Sequence, residues 1–182
     1  MLDAKQFADM LTFSRLVIGL ALAWVGFTQS AEALPVACWL LMASWTSDIL
    51  DGGLARRSRR QAHTWIGDHD LEFDMLVSVG VFVYLAVSGF MPMWLVIAYP
   101  LAWALAFWHF GLLASLGKLF QAPIYGYLIV TALMQARITG LAMVAWILGA
   151  VIVTWPRFPQ EVIPSFLDGM RDVGRYLPWR KS

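Results

Sequence analysis

The chain has 182 residues, of which 60% are hydrophobic and only 14% are charged, and its mean hydropathy is +0.66. These values lie outside the range of ordinary soluble domains and predict an integral membrane protein. The net charge of +1 argues neither for nor against binding to nucleic acid, and the lack of a basic stripe interleaved with aromatic residues sets that class aside.

Apolar runs predict an all-α protein with about six membrane-spanning helices in a single domain that covers residues 1–182. The predicted spans lie near residues 11–29, 34–54, 70–89, 92–114, 120–136 and 139–155. Pro35, Pro92 and Pro123 are expected near helix starts, because a missing amide proton costs little there.

The tail, residues 157–182, is predicted to form an amphipathic helix on the membrane surface. Its apolar residues recur at helical spacing and its charged residues lie on the opposite face of that helix. The apolar set is Ile163, Phe166, Leu167, Met170, Val173 and Leu177. The alternative is a tail that packs on the protein's own helices.

The distribution of basic residues predicts the orientation. An even number of spans returns the chain to its starting side, and almost all Lys and Arg residues then fall on that side, Arg137 being the exception. By the positive-inside rule this side is cytoplasmic. We therefore expect both termini and the loop after Arg56 in the cytoplasm, and the protein in a bacterial inner membrane or another plasma membrane.

Four aspartates beside the apolar runs indicate a functional site. Asp48 and Asp51 are three residues apart, and Asp70 and Asp74 are four residues apart, so each pair shares one face of a helix. Ionised side chains near hydrocarbon are costly and usually serve a function. Two such faces brought together form an oxygen-rich pocket suited to Mg²⁺ or Mn²⁺.

These residues resemble the signature of the CDP-alcohol phosphatidyltransferases, D-x-x-D-G-x-x-A-R followed by G-x-x-x-D-x-x-x-D. The first half of the signature is matched in full by Asp48, Asp51, Gly52, Ala55 and Arg56. In the second half Asp70 and Asp74 keep their separation, whereas only two residues instead of three lie between Gly67 and Asp70.

Two shorter patterns resemble the same family. Asp9, Thr12 and Arg15 stand where its members commonly have N-x-x-T-x-x-R, with aspartate in place of asparagine. Gly117 and Lys118 stand where many members have a Gly-Lys pair after the fourth span. Together the patterns extend the resemblance over most of the chain.

The resemblance implies an enzyme of phospholipid biosynthesis. Such an enzyme transfers a phosphatidyl group from CDP-diacylglycerol to a small alcohol and releases cytidine monophosphate, with two Mg²⁺ or Mn²⁺ ions as cofactors. Its partners would be these two substrates, membrane lipids and a second copy of the chain in a homodimer. Glycerol 3-phosphate is the favoured acceptor because of its frequency in the family.

The resemblance also implies roles for individual residues. Asp48, Asp51, Asp70 and Asp74 would bind metal, and Asp74 would in addition act as general base. Gly52 and Ala55 would let the nucleotide approach the helix closely, and Arg56 would bind a CDP phosphate. Lys118 is the candidate for an acceptor phosphate. Thr12 and Arg15 would contact the CDP moiety, or would cap and anchor the first helix.

Two other functions stay open from the sequence. A metal or solute transporter with an intramembrane carboxylate site is one, although the paired broken helices or repeats typical of transporters are not visible. A catalytically silent homologue with an altered second half of the signature is the other.

Overall fold

The computed structural model describes residues 4–57, 70–155, 160, 164 and 166–170, with side chains for 10–50 and from residue 71 onward within these ranges. All regular structure in the described residues is helical. The helices are α1 (Ala4–Gln29), α2 (Leu34–Arg57), α3 (Asp70–Val87), α4 (Met93–Phe110), α5 (Ala114–Gln135) and α6 (Arg137–Val153). A 3₁₀ turn, Ser30–Ala33, joins α1 to α2.

The predicted all-α membrane fold is confirmed, and each of the six predicted spans coincides with one helix. Among the described residues, three segments are long and apolar enough to cross a membrane: Met10–Leu50, which covers most of α1 and α2, Met93–Phe110 and Ala114–Gln135. α6 is apolar but has 17 residues, and α3 carries three acids in its first five residues. Six crossings therefore stay a prediction, whereas the six helices are observed.

The start of α5 differs from the prediction. Hydropathy placed it near residue 120, but the helix begins at Ala114. The polar first turns are helical because Ser115 and Gly117 are buried against neighbouring segments. Pro123 consequently lies inside α5 and not near its start, so that expectation was wrong. Gly111, whose φ of 77° favours glycine, ends the preceding helix.

α1 and α3 pack against each other more closely than any other pair of helices. A Cβ on Gly19 would lie 2.8 Å from the carbonyl oxygen of Leu76, and a Cβ on Gly80 would collide with the Gly19 carbonyl. A Cβ on Gly26 would lie 3.0 Å from the Cα of Tyr84. Small residues thus bring the two backbones together, as is common between membrane helices. Later residues of α1 contact later residues of α3, from Gly19 with Leu76 to Gly26 with Tyr84. α1 and α3 therefore run in the same direction.

α2, α5 and α6 complete the core around this pair. Completely buried apolar side chains come from five helices: Leu22, Ala37, Leu41, Val81, Leu85, Leu128 and Met143. α4 buries none of its residues. It is attached by aromatic contacts of Tyr99, whose hydroxyl donates to the Phe120 carbonyl at 2.5 Å and whose ring stacks on Phe82.

Most of the predicted interfacial tail, residues 157–182, lies outside the described residues. Within it, residues 166–170 are helical. Gly169 lies directly against the Ser115 side chain at the start of α5. The tail therefore touches the helix bundle at this point, and a surface helix over its full length stays a prediction.

Candidate active site around Arg15

A completely buried arginine connects the first three helices. Arg15 of α1 is the largest fully buried side chain in the described core. Its Nη1 donates to Asp48 Oδ1 of α2 at 3.2 Å and also to Asp74 Oδ1 of α3. Its Nη2 donates to Thr12 Oγ1 at 3.2 Å. A guanidinium group tolerates such burial only when acids and hydroxyls compensate its charge and its donors.

The close α1–α3 packing explains why these side chains meet. Arg15 precedes Gly19 by one helical turn on α1, and Asp74 precedes Leu76 by two residues on α3. Because Gly19 and Gly80 bring the backbones together, Arg15 is long enough to reach both α3 and α2.

The acids and the arginine differ in exposure. The Arg15 side chain is 0% exposed, whereas the side chains of Asp74 and Asp48 are 29% and 54% exposed. Arg15 and Thr12 therefore form the floor of the site, and the carboxylates form its accessible side. A ligand that approaches from outside reaches the acids first.

The structure brings four of the predicted site residues together: Thr12, Arg15, Asp48 and Asp74. The backbones of Asp51, Gly52, Ala55 and Arg56 continue α2, and Asp70 is the first residue of α3. The helical spacing on which their prediction depends is therefore present. Their side chains lie outside the described part of the chain, so their roles stay predictions.

Lys118 lies in the second turn of α5 and is exposed. Its neighbour Gly117 packs on α3, where an added Cβ would lie 2.8 Å from Leu71 Cδ1 and 3.5 Å from Met75 Sδ. Leu71 and Met75 flank Asp74 in the α3 sequence. Lys118 is therefore next to the segment of α3 that carries Asp74.

Sequence reasoning missed Tyr125 of α5. The Tyr125 ring contacts Trp45, which lies one turn before Asp48 on α2, with 5.5 Å between ring centroids, and its hydroxyl donates to Gln121 Oε1 at 3.4 Å. A tyrosine in an apolar run carries no motif. The one available signal was its position seven residues after Lys118, which puts both on the same face of a helix.

The sequence model of the CDP-alcohol phosphatidyltransferase family matches residues 5–158, from the start of α1 to the end of α6. The chain belongs to this family. It is a membrane enzyme that uses a CDP-alcohol and an alcohol acceptor in phospholipid synthesis, and the family uses divalent metal ions. No curated protein and no solved structure matches the chain significantly. The match favours the enzyme over the transporter alternative.

The observed acids fit the divalent metal that this phosphatidyltransferase family uses. Oδ1 of Asp48 and Oδ1 of Asp74 converge on one cationic nitrogen, so the place where they meet attracts positive charge. Carboxylate oxygens are also the ligands that Mg²⁺ and Mn²⁺ prefer. Among the described side chains, no three His, Cys, Asp or Glu residues cluster around one point. The predicted metal ligands Asp51 and Asp70 follow Asp48 and precede Asp74 by about one helical turn, and their side chains lie outside the described part of the chain.

Proposed function

We propose that this enzyme transfers the phosphatidyl group of CDP-diacylglycerol to a small alcohol, with glycerol 3-phosphate as the favoured acceptor, and releases cytidine monophosphate. The observation that supports this most is the meeting of Asp48 and Asp74 at Arg15. These are the first and last acids of the family signature, and they reach one point from two different helices. The two halves of the signature therefore contribute to a single site.

Asp74 is the proposed general base. It accepts the proton of the acceptor hydroxyl as that oxygen attacks phosphorus, and its intermediate exposure suits a group that meets both protein and substrate. Asp48, Asp51, Asp70 and Asp74 would hold two Mg²⁺ or Mn²⁺ ions. When bound, the metal supplies positive charge that neutralises the pyrophosphate and stabilises the leaving cytidine monophosphate.

Arg15 and Thr12 are proposed to position the acids. Arg15 lies behind the carboxylates and Thr12 is hydrogen-bonded to it. This arrangement supports a positioning role, which differs both from contact with the CDP moiety and from capping of the first helix. The arginine fixes the carboxylate orientation and offsets the repulsion between the two negative charges while no ligand is bound.

The remaining proposed roles belong to residues of α2 and α5. Gly52 and Ala55 are proposed to admit the nucleotide close to α2, and Arg56 to bind a CDP phosphate through its planar fork. Lys118 is proposed to bind the phosphate of the acceptor. Its exposure and its place beside the Asp74 segment support this role.

The site is proposed to open toward the cytoplasm of a bacterial cell, since the basic residues gather on that side of the predicted topology. α2 ends and α3 begins on the side where the acids lie, in keeping with this orientation. A homodimer is proposed from the family resemblance.

The test is a transfer assay with purified protein, CDP-diacylglycerol, MgCl₂ and a panel of alcohols, in which release of cytidine monophosphate and formation of phospholipid are both measured. We expect cytidine monophosphate to be released only when an alcohol is present, with the highest rate for glycerol 3-phosphate. EDTA should abolish this release. A lack of release with every alcohol in the presence of Mg²⁺ or Mn²⁺ contradicts the proposal and supports the silent homologue.

A further inference from the structure

Three polar side chains follow one face of α5. Lys118, Gln121 and Tyr125 are spaced by three and four residues, so they lie above one another over two helical turns. Lys118 is exposed, whereas Gln121 and Tyr125 are partly buried. Polar residues on one face of an otherwise apolar span are uncommon and suggest a ligand.

This polar face of α5 lies beside the part of α3 that carries Asp74. Gly117, next to Lys118, packs on Leu71 and Met75, which flank Asp74 in the α3 sequence. Two turns further along α5, the Tyr125 ring contacts Trp45, one turn before Asp48, and Asp48 shares Arg15 with Asp74. The polar face therefore runs past the carboxylate that is proposed to deprotonate the acceptor.

The ring of Tyr125 is held firmly. It meets Trp45 of α2 edge to face with 5.5 Å between ring centroids. Trp45 in turn packs on Trp146 of α6 at 5.4 Å, and Trp146 Nε1 donates to Thr46 Oγ1 at 3.2 Å. Such edge-to-face contacts favour a fixed orientation. The hydroxyl is therefore placed by three helices at the same time.

The hydroxyl of Tyr125 differs from the other tyrosine hydroxyls near it. Tyr99 donates to the Phe120 carbonyl at 2.5 Å and connects α4 to α5, and Tyr127 donates to the Phe90 carbonyl at 2.6 Å and connects α5 to the turn between α3 and α4. Tyr125 donates to Gln121 Oε1 of its own helix at 3.4 Å, close to the outer limit for a hydrogen bond. This long bond within one helix does little for the fold and is easily exchanged for a bond to a ligand.

We propose that Tyr125 and Gln121 bind the acceptor alcohol and present its hydroxyl to Asp74. This inference rests on the proposed transfer reaction and adds the acceptor side of the site to it. The Tyr125 hydroxyl donates to an acceptor oxygen, and the amide of Gln121 offers both a donor and an acceptor. Tyr125 lies about 10 Å from Lys118 along the axis of α5. A small phosphorylated polyol and the flexible lysine stem together span this distance.

Tyr125→Phe tests the proposal, because it keeps the ring against Trp45 and removes the hydroxyl alone. With CDP-diacylglycerol, MgCl₂ and glycerol 3-phosphate as probe, we expect the KM for glycerol 3-phosphate to rise about tenfold. The affinity for CDP-diacylglycerol should stay within about twofold of the wild-type value, a separation that a general loss of structure would not produce.

Tyr127→Phe is the matched control, since its hydroxyl donates to the Phe90 carbonyl. It should keep the wild-type KM for glycerol 3-phosphate. An unchanged acceptor KM in Tyr125→Phe, or equal changes in both variants, would overturn the inference and leave the transfer reaction in place. A wild-type protein inactive with every alcohol overturns the proposed function instead. If Tyr125→Phe does not fold, Gln121→Leu serves in its place, and a wild-type acceptor KM there contradicts the acceptor subsite.

Discussion

The helix pair α1–α3 and the helix α4 pack into the same bundle in two different ways. α1 and α3 are in backbone contact at Gly19 and Gly80 and share the buried Arg15. α4 buries no residue and is attached by the aromatic side chains of Tyr99 and Trp103, which contact α3 and α5. Asp74 of the site stands on α3 of this pair, and Asp48 of α2 is bonded to Arg15 of α1. We therefore expect activity and stability to be sensitive to changes in α1 and α3 and tolerant of changes in α4.

The largest effect is expected for Asp74→Asn in α3. Loss of the general base should lower turnover by about 10²- to 10⁴-fold, because a positioned base contributes that much to proton transfer. Turnover is measured as the rate at which cytidine monophosphate is released. Glu72→Gln is the control, because Glu72 is an exposed acid on another face of the same helix. A near-wild-type rate in Asp74→Asn would remove Asp74 from the chemistry and direct the search for the base to other residues.

The second largest effect is expected for removal of Arg15, the buried cation. Arg15→Met leaves Asp48 and Asp74 without their shared partner, and should destabilise the protein by about 3 kcal/mol, the low end for a broken buried pair because both acids are partly exposed. The midpoint of thermal unfolding in detergent checks it. MgCl₂ should restore part of the loss, since a bound cation stabilises the folded state.

The double variant Arg15→Met with Asp74→Asn sharpens this prediction. One of the two repelling charges is then neutral, so the double variant should be more stable than Arg15→Met alone. If Arg15→Met unfolded at the wild-type temperature without metal, Arg15 would not be the group that holds the acids together.

The Gly80 contact should give a smaller effect on stability. Gly80→Ala places a methyl group against the Gly19 carbonyl and should cost about 1–3 kcal/mol through overpacking. Gly149→Ala in α6 is the matched control, because no neighbouring group in the described part of the chain, apart from the adjoining backbone of α6, lies within 4 Å of its added Cβ. That change should be neutral or slightly stabilising, as alanine is the better helix former. Equal unfolding midpoints for the two variants would show that α1 and α3 are not in close contact.

The smallest effect is expected in α4. Trp108 is 91% exposed, and Trp108→Ala should change the free energy of unfolding by less than about 0.5 kcal/mol and leave turnover unchanged. A loss of activity comparable to that of the α1 or α3 variants would mean that α4 supports the site directly, and the contrast between the two regions would fail.

The sequence predicted those features that depend on local pattern. The six helices follow from apolar runs, and Asp48 and Asp74, which meet at Arg15, were singled out as acids beside hydrocarbon at helical spacing. The bonds of Arg15 to Asp48 and Asp74 were not predictable from the sequence, because they depend on how closely Gly19 and Gly80 let α1 approach α3. The early start of α5 was missed since Ser115 and Lys118 lower its hydropathy. Tyr125 was missed because its role depends on three helices that are distant in sequence.

The central claim is that Asp48 of α2 and Asp74 of α3 belong to one metal-dependent site for the CDP-lipid. The most direct measurement is the affinity of purified protein for CDP-diacylglycerol, with MgCl₂ and with EDTA, in the wild type, Asp48→Asn and Asp74→Asn. We expect Mg²⁺-dependent binding in the wild type, a large loss of it in Asp48→Asn, and binding without turnover in Asp74→Asn. Wild-type, metal-independent binding in Asp48→Asn would contradict the claim.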